Sequence, residues 1–168
     1  MARKEKVQKT NAMRELERGG IAYKAETFEE PEVMGRSDLG VQIAQMLGHD
    51  PEQGFKTLVC VAPHGGHVVC CIPSPAELDL KKAAAAAGEK SLALMHVRDL
   101  EATTGYVRGG CSPVGMRRRF PTLIDETAQL FDTIYISGGR RGLTLEVAPG
   151  PLAAFVGATF ADICREGE

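Results

Sequence analysis

Twelve consecutive residues, Thr104-Gly-Tyr-Val-Arg-Gly-Gly-Cys-Ser-Pro-Val-Gly115, contain four glycines (Gly105, Gly109, Gly110, Gly115) and Pro113. Glycine opens backbone conformations that other residues avoid, and proline removes an amide donor and fixes φ. No regular helix or ladder strand passes through such a stretch. Any fold of this chain must break here into an irregular loop. The loop carries a hydroxyl at Ser112 and a thiol at Cys111, and Arg117, Arg118 and Arg119 follow it. Two readings are open from these residues. One is a long surface turn with a solvated basic tail. The other is a nest of backbone amides that approaches a carbonyl, carboxylate or phosphate.

The flanking sequence predicts short elements of both kinds. Residues 1–18 are polar, with Val7, Ala12, Met13 and Leu16 spaced for an amphipathic helix closed by Gly19 and Gly20. Ile21, Tyr23, Ala25 and Thr27 alternate with polar residues as in a strand. Glu29-Glu30-Pro31-Glu32 reads as a loop. Ser37 or Asp38 caps a helix bearing Val41, Ile43, Ala44, Met46 and Leu47, closed by Gly48. Residues 55–62 and 67–73 are β-rich on either side of Pro63-His-Gly-Gly66, a hairpin pattern. Asp79 opens a helix through an alanine run to Gly88, residues 91–95 read as a short buried strand, and 99–103 as a helical turn. Residues 121–124 and 132–136 read as strands, and Ser137-Gly-Gly-Arg-Arg-Gly142 connects to a further arm at 143–147. A helix over 149–156 and a strand or helix over 158–164 complete the chain. Strands joined by both hairpins and helices imply an α/β (α+β) fold with a mixed, curved, barrel-like sheet and helices outside it. With no repeat or linker, residues 1–168 read as one domain.

The composition is that of a soluble globular protein, 43% hydrophobic and 25% charged. The net charge of −2 means that any anion site must arise from local clustering. The five cysteines are odd in number and show no CxxC pair. Three lie in apolar strand-like runs, where cysteine acts as a small buried hydrophobe, and this fits a reducing, cytoplasmic setting without disulfides. No apolar run approaches the roughly 18 residues of a membrane span, so no membrane is expected as a partner. The charged N-terminus lacks the apolar core of a signal peptide.

His64 and His67 stand in a turn without a further ligand array, so no metal is expected. The glycine-rich stretch is neither a Walker loop nor a dinucleotide fingerprint, so no cofactor is implied. Ser112 is not in a nucleophile elbow. Lys56 is a lone cation in an apolar strand. It is either a snorkelling edge lysine or a cation aimed into a pocket. Arg98, Arg108, Arg117, Arg118, Arg119, Arg140 and Arg141 all fall in or near irregular connections. They form either a solvated face or, with Lys56, a groove for a phosphate backbone. Aromatic residues are sparse, which favours capture of one terminal nucleotide over broad single-strand binding.

Three segments in order, Phe55-Lys-Thr-Leu-Val, Thr104 to Gly115, and Ile134-Tyr-Ile-Ser-Gly-Gly-Arg-Arg-Gly-Leu143, resemble the YbaK/EbsC family of trans-editing aminoacyl-tRNA deacylases. That family is related to the editing domain inserted in bacterial prolyl-tRNA synthetases. The similarity runs from about Asn11 to Asp162, and its nearest branch, the YbaK type, resembles a Cys-tRNA(Pro) deacylase. The resemblance implies release of a mischarged amino acid from the 3′ end of an aminoacyl-tRNA, with prolyl-tRNA synthetase as a possible partner. Lys56 matches the family's lysine, which would hold the terminal adenosine near the ester as a point charge. Gly109, Gly110, Ser112 and Pro113 match the loop whose amides would orient the carbonyl and stabilise the developing oxyanion. Ser137, Gly138 and Gly139 match a second loop at the pocket mouth, with Phe28, Thr57 and Thr144 as further substrate-binding positions. No protein side chain is the family's evident nucleophile. Either the substrate thiol or a positioned water attacks, and the protein acts by positioning. Cys111 occupies a variable position of the motif and receives no role from the resemblance.

Phe28 replaces a tyrosine of that branch, Leu39 an aromatic, and Thr144 an acidic residue. Because discrimination at the scale of a methylene group is worth only about 1–3 kcal/mol, these changes leave alanine or another small amino acid open as the substrate. A non-catalytic binding module and a generic esterase are the other readings of the same residues.

Overall fold

The computed structural model describes residues 8–29 and 39–166. Local chemistry sets most element ends. Thr10 caps α1 (Asn11–Arg18): its Oγ1 accepts from the Met13 amide at 3.2 Å and donates to the Gly138 carbonyl at 2.5 Å. One side chain thus starts a helix and ties it to a distant loop. β1 (Tyr23–Thr27) follows, then α2 (Leu39–Leu47) and a 3₁₀ turn at Pro51–Gln53. Val7, the loop Glu30-Pro31-Glu32 and the proposed caps Ser37 and Asp38 lie outside the described residues.

β2 (Phe55–Val61) and β3 (His67–Pro73) form the expected antiparallel hairpin. Asp79 caps α3 (Leu80–Ala87) with Oδ1 on the amides of Lys81 and Lys82, both at 3.0 Å, and left-handed Gly88 ends it. β4 is only Ala93–Leu94, and both of its residues are exposed. The buried strand expected over 91–95 is therefore corrected: β4 pairs only with Cys60 and Val61, at the sheet's edge. α4 (Val97–Thr104) leads into the glycine-rich stretch, and β5 (Thr122–Asp125) into a 3₁₀ turn at Glu126–Leu130. β6 (Ile134–Ser137), β7 (Leu143–Val147), α5 (Pro149–Val156) and β8 (Thr159–Ala161) complete the order.

The mixed α/β class is as the sequence implied, but the strands form two sheets rather than one barrel-like sheet. The first has the order β1-β7-β6 and is antiparallel. The second has the order β4-β2-β3-β5-β8, with β3-β5 and β5-β8 parallel. A parallel bridge between Gly54 and Tyr135 joins them. The barrel fails to close because β2 is paired with β3 along its whole length, while on its other edge β4 reaches only Cys60 and Val61. The Val59 carbonyl still accepts from the Met95 amide at 2.9 Å, and residues 55–58 keep an edge without ladder pairing toward the first sheet.

Side-chain alternation along β2 divides the core. Phe55 and Val59 join a cluster with α1 (Met13, Leu16) and the first sheet (Ile134, Ile136, Leu145). Cys60 joins a second cluster with Ile72, Leu123, Ile163 and the alanines Ala83 and Ala84 of α3. The alanine run lets α3 sit close on the sheet. Among the described residues no helix is long and apolar enough to cross a membrane.

Asp125 ends β5 as a buried carboxylate, 2% exposed. Its Oδ2 accepts from the Thr127 amide (3.2 Å) and hydroxyl (2.6 Å), and Oδ1 accepts from the Ile163 amide at 3.1 Å. Burial alone would raise its pKa. The donors from Thr127, Ile163 and Cys164 outweigh burial and hold it below the ordinary carboxylate value. A depressed folded pKa stabilises the protein above the unfolded value of about 3.9, and that contribution is lost as pH falls through the folded pKa. Asp125→Asn is expected to lower unfolding free energy at pH 7 by about 1–3 kcal/mol and to flatten the acid loss of stability. Urea denaturation at pH 7 and below about pH 4 checks this. An unchanged stability at pH 7 would contradict it.

Candidate active site

A cavity of 440 Å³ opens along the unpaired edge of β2. Because it wraps that edge, residues of both strand faces line it: Thr57 and Val59 from one, Lys56 and Leu58 from the other. Ser137 and Thr144 of the first sheet face them, Gly109 and Cys111 of the glycine-rich loop form another wall, and Leu39 and Ile43 of α2 form a further one. Walls that are mostly apolar with a few placed polar groups are typical of a small-ligand site.

Lys56 is half-buried and pairs in register with Ile72 of the second cluster. Burial lowers its pKa from that of an exposed lysine, against the opposing effects of Glu77 and Cys164. Among the described residues its ammonium has no ion pair. A partly desolvated cation outside any direct ion pair suits an anionic ligand.

The glycine-rich loop is held by its own side chains. Gly105 ends α4 in the left-handed conformation, φ +86°. The Thr104 hydroxyl accepts from the Tyr106 amide at 3.0 Å, and the Tyr106 hydroxyl donates to the Val114 carbonyl at 2.7 Å, closing the loop. Ser112 is fully buried, and its Oγ accepts from the Val114 amide at 3.4 Å. The Gly110 amide donates to the Val107 carbonyl at 2.9 Å, within the turn. Among the described residues, the amides of Gly109, Cys111 and Ser112 have no protein acceptor. The available donors of the nest are thus on both sides of Gly110 rather than on Gly110 itself.

The second loop packs on the first. The Arg141 Nε donates to the Arg108 carbonyl at 2.9 Å. The Gly138 amide donates to the Leu143 carbonyl at 2.9 Å, and the Gly139 amide to Ser137 Oγ at 3.3 Å. The Thr144 hydroxyl donates to the Ile136 carbonyl at 3.0 Å. Of the expected site residues, Lys56, Thr57, Gly109, Phe28, Ser137 and Thr144 line the cavity. Gly110, Ser112, Gly138 and Gly139 stand behind its walls as supports. Pro113 lines a second cavity, together with Arg117, Arg118 and Arg119. The arginines therefore do not share one groove with Lys56: Arg108 lines the first cavity, Arg117–119 the second, and Arg98 is exposed elsewhere.

Sequence reasoning missed His49 and Tyr135. Their rings stack at 3.8 Å with an interplanar angle of 17°, and His49 Nε2 is hydrogen-bonded to Glu26 Oε1 at 3.0 Å. Both line the cavity. Nothing local signals them: His49 follows Gly48 in a connection, Tyr135 sits in a distant strand, and the Gly54–Tyr135 bridge and the Gln53–Thr133 hydrogen bond bring their segments together. Of the remaining histidines, His64 binds Glu89 and His67 meets the Phe120 ring edge. Among the described residues no group of three His, Cys, Asp or Glu could hold a metal ion.

The fold is that of a two-sheet α/β protein, with a cavity lined by a lysine, glycine-rich-loop residues and hydroxyl side chains. Residues 38–155 match the aminoacyl-tRNA editing domain, and the chain belongs to that family, as the three sequence motifs implied. It is 45% identical, over 97% of this chain and 98% of the relative, to an Enterococcus faecalis protein provisionally named Cys-tRNA(Pro)/Cys-tRNA(Cys) deacylase EbsC. A crystal structure provisionally described as a trans-editing enzyme for prolyl tRNA synthetase superposes with a TM-score of 0.79 at 26% identity, covering 96% of this chain and 100% of the other. A hypothetical protein of known structure shares the fold, with a TM-score of 0.82 at 23% identity over 93% of this chain and 100% of its own.

Cys111 lines the cavity, but burial pushes its thiol up to about 12. The thiolate is the reactive form, and an ordinary thiol titrates near 8.5, so the thiolate population at neutral pH is reduced by roughly three orders of magnitude or more. Iodoacetamide at pH about 7.5 is expected to alkylate Cys111 of the folded protein at least a hundredfold more slowly than after denaturation, read by peptide mass spectrometry. Alkylation at the rate of a free thiol would contradict this and make Cys111 a candidate nucleophile.

Proposed function

We propose that this chain, as one domain spanning residues 1–168, is a trans-editing aminoacyl-tRNA deacylase acting in the cytoplasm, and that its leading substrate is Cys-tRNA(Pro). The observation that carries the reading is the cavity itself. It is lined both by a half-buried Lys56 that makes no direct ion pair among the described residues and by Gly109 and Cys111 of the glycine-rich loop. Family membership and the 45% identical deacylase support the same chemistry.

In this reading Lys56 holds the phosphate or sugar of the terminal adenosine by charge. The amides beside Gly110 receive the ester carbonyl oxygen, whose negative charge grows in the transition state. Gly110, Ser112 and Pro113 hold the loop in shape, and Ser137 with Gly138 and Gly139 forms the opposite rim. Two routes then release the amino acid. In one, the cysteine thiol attacks its own carbonyl, the bond to the ribose oxygen breaks, that oxygen takes the proton, and a cyclic thioester leaves. In the other, a water held in the cavity attacks and the free amino acid leaves. Both draw their rate from orientation and charge stabilisation.

A second reading, release of alanine or another small residue by the water route, is favoured by one observation. Phe28, Leu39 and Thr144, the three departures from the deacylase branch, all line the cavity. They alter its polarity where the aminoacyl side chain would lie. Prolyl-tRNA synthetase is the proposed partner, supported by the similar solved structure provisionally described as a trans-editing enzyme for that synthetase.

Deacylation of radiolabelled Cys-tRNA(Pro), Ala-tRNA(Pro) and Pro-tRNA(Pro) tests the proposal. The cysteinyl ester is expected to turn over fastest and the prolyl ester to be spared, with added synthetase raising the rate. A faster alanyl reaction would select the second reading. Rates equal to buffer on every ester, with folded protein, would leave a non-catalytic module.

A further inference from the structure

The second cavity, 380 Å³, lies between α1 and the segment that follows Ser112. Its walls carry four guanidinium groups, Arg14 from α1 and Arg117, Arg118 and Arg119 from the segment leading to β5. One carboxylate, Glu15, shares the wall. It is already engaged: Arg18 Nη2 lies 2.5 Å from Glu15 Oε2, and Arg18 first and then Arg119 hold its pKa below the ordinary range. Among the described residues, Arg14, Arg117, Arg118 and Arg119 have no ion pair with a carboxylate.

Several of these groups are pre-oriented. Arg119 and Arg18 lie over the Phe155 ring at 5.7 and 5.8 Å. Arg14 donates to the Lys9 carbonyl at 2.9 Å and to the Asn11 side chain. The Arg117 amide is fixed on the Thr104 carbonyl at 3.0 Å. Arg117, Arg118 and Arg119 are nonetheless exposed and consecutive. A row of solvent-facing guanidiniums suits a run of phosphates better than one enclosed anion. The loop also links the two cavities. Cys111 lines the first and Pro113 the second, so at most about 7 Å of chain separates their nearest walls.

We propose that this arginine-lined cavity is a phosphate-binding site for the backbone of the tRNA strand whose 3′ end enters the first cavity. The proposal rests on the editing reading above. It assigns substrate grip to Arg14 and Arg117–119, apart from the ester pocket.

The test is equilibrium binding of fluorescently labelled, uncharged tRNA(Pro), read by anisotropy between roughly 50 and 200 mM salt. Arg117→Ala/Arg118→Ala is expected to weaken binding tenfold or more and to reduce the slope of log K against log salt by about 1–2, since each phosphate contact contributes about 0.7–0.9. The corresponding double lysine variant should keep most of the slope. Arg118→Ala alone, at an exposed side chain, should reduce the slope by about 1 and guards against a misfolded double variant. Wild-type affinity and slope in both alanine variants would overturn the site while leaving the editing reading intact. No salt-dependent binding by the wild-type protein would overturn both.

Discussion

Gly110 presses against the backbone of the neighbouring loop. A Cβ at this position would lie 2.9 Å from Arg140 Cα and 3.1 Å from Arg141 N, closer than main-chain atoms can yield. This contact sets the distance between two walls of the cavity, one carrying Gly109 and Cys111, the other Ser137 and Thr144. Arg141 reinforces it through the Arg108 carbonyl, and Thr10 anchors the far side of the second loop through Gly138. The glycine is therefore required for its missing side chain. Its amide is turned inward to Val107 and is not the one that faces a ligand.

The open edge of β2 supplies the other half of the site. Had β4 extended alongside residues 55–58, the sheet would have filled the space the cavity occupies. Its short pairing leaves room for α2 and for a ligand, and lets the cavity touch both faces of the strand. Lys56 is thereby held partly out of water, with Glu77 acting on it only at a distance and no direct ion pair among the described residues. That arrangement is costly in an empty pocket and favourable once an anion enters. Cys111 shows the converse: burial disfavours its ionised, nucleophilic form.

The sequence was informative where chemistry is local. Asp79 and Gly88 bracket α3, and Pro63 to Gly66 turns β2 into β3, because capping and turn preferences act within a few residues. The sheet arrangement was not legible. Pairing Tyr23 with Val147 depends on packing between segments far apart in the chain, and no pattern near either end announces it. The site divides in the same way. The glycine-rich loop and Lys56 stood out as local anomalies and as family motifs. The inward turn of Ser112 and Gly110 depends on the Tyr106–Val114 closure, and the His49–Tyr135 stack depends on the bridge between sheets. Neither leaves a trace in spacing. Likewise, seven arginines in one half of the sequence looked like one surface, and the fold distributes them over separate places.

We propose that a desolvated cation and loop amides, not a protein nucleophile, drive ester release. The most direct measurement is the single-turnover rate of Cys-tRNA(Pro) deacylation by Lys56→Ala, with Lys56→Arg alongside. The account predicts a fall of about a hundredfold or more for alanine, with thermal stability retained and partial recovery by arginine, which keeps the charge but changes its shape. A folded Lys56→Ala protein that deacylates at the wild-type rate would contradict it.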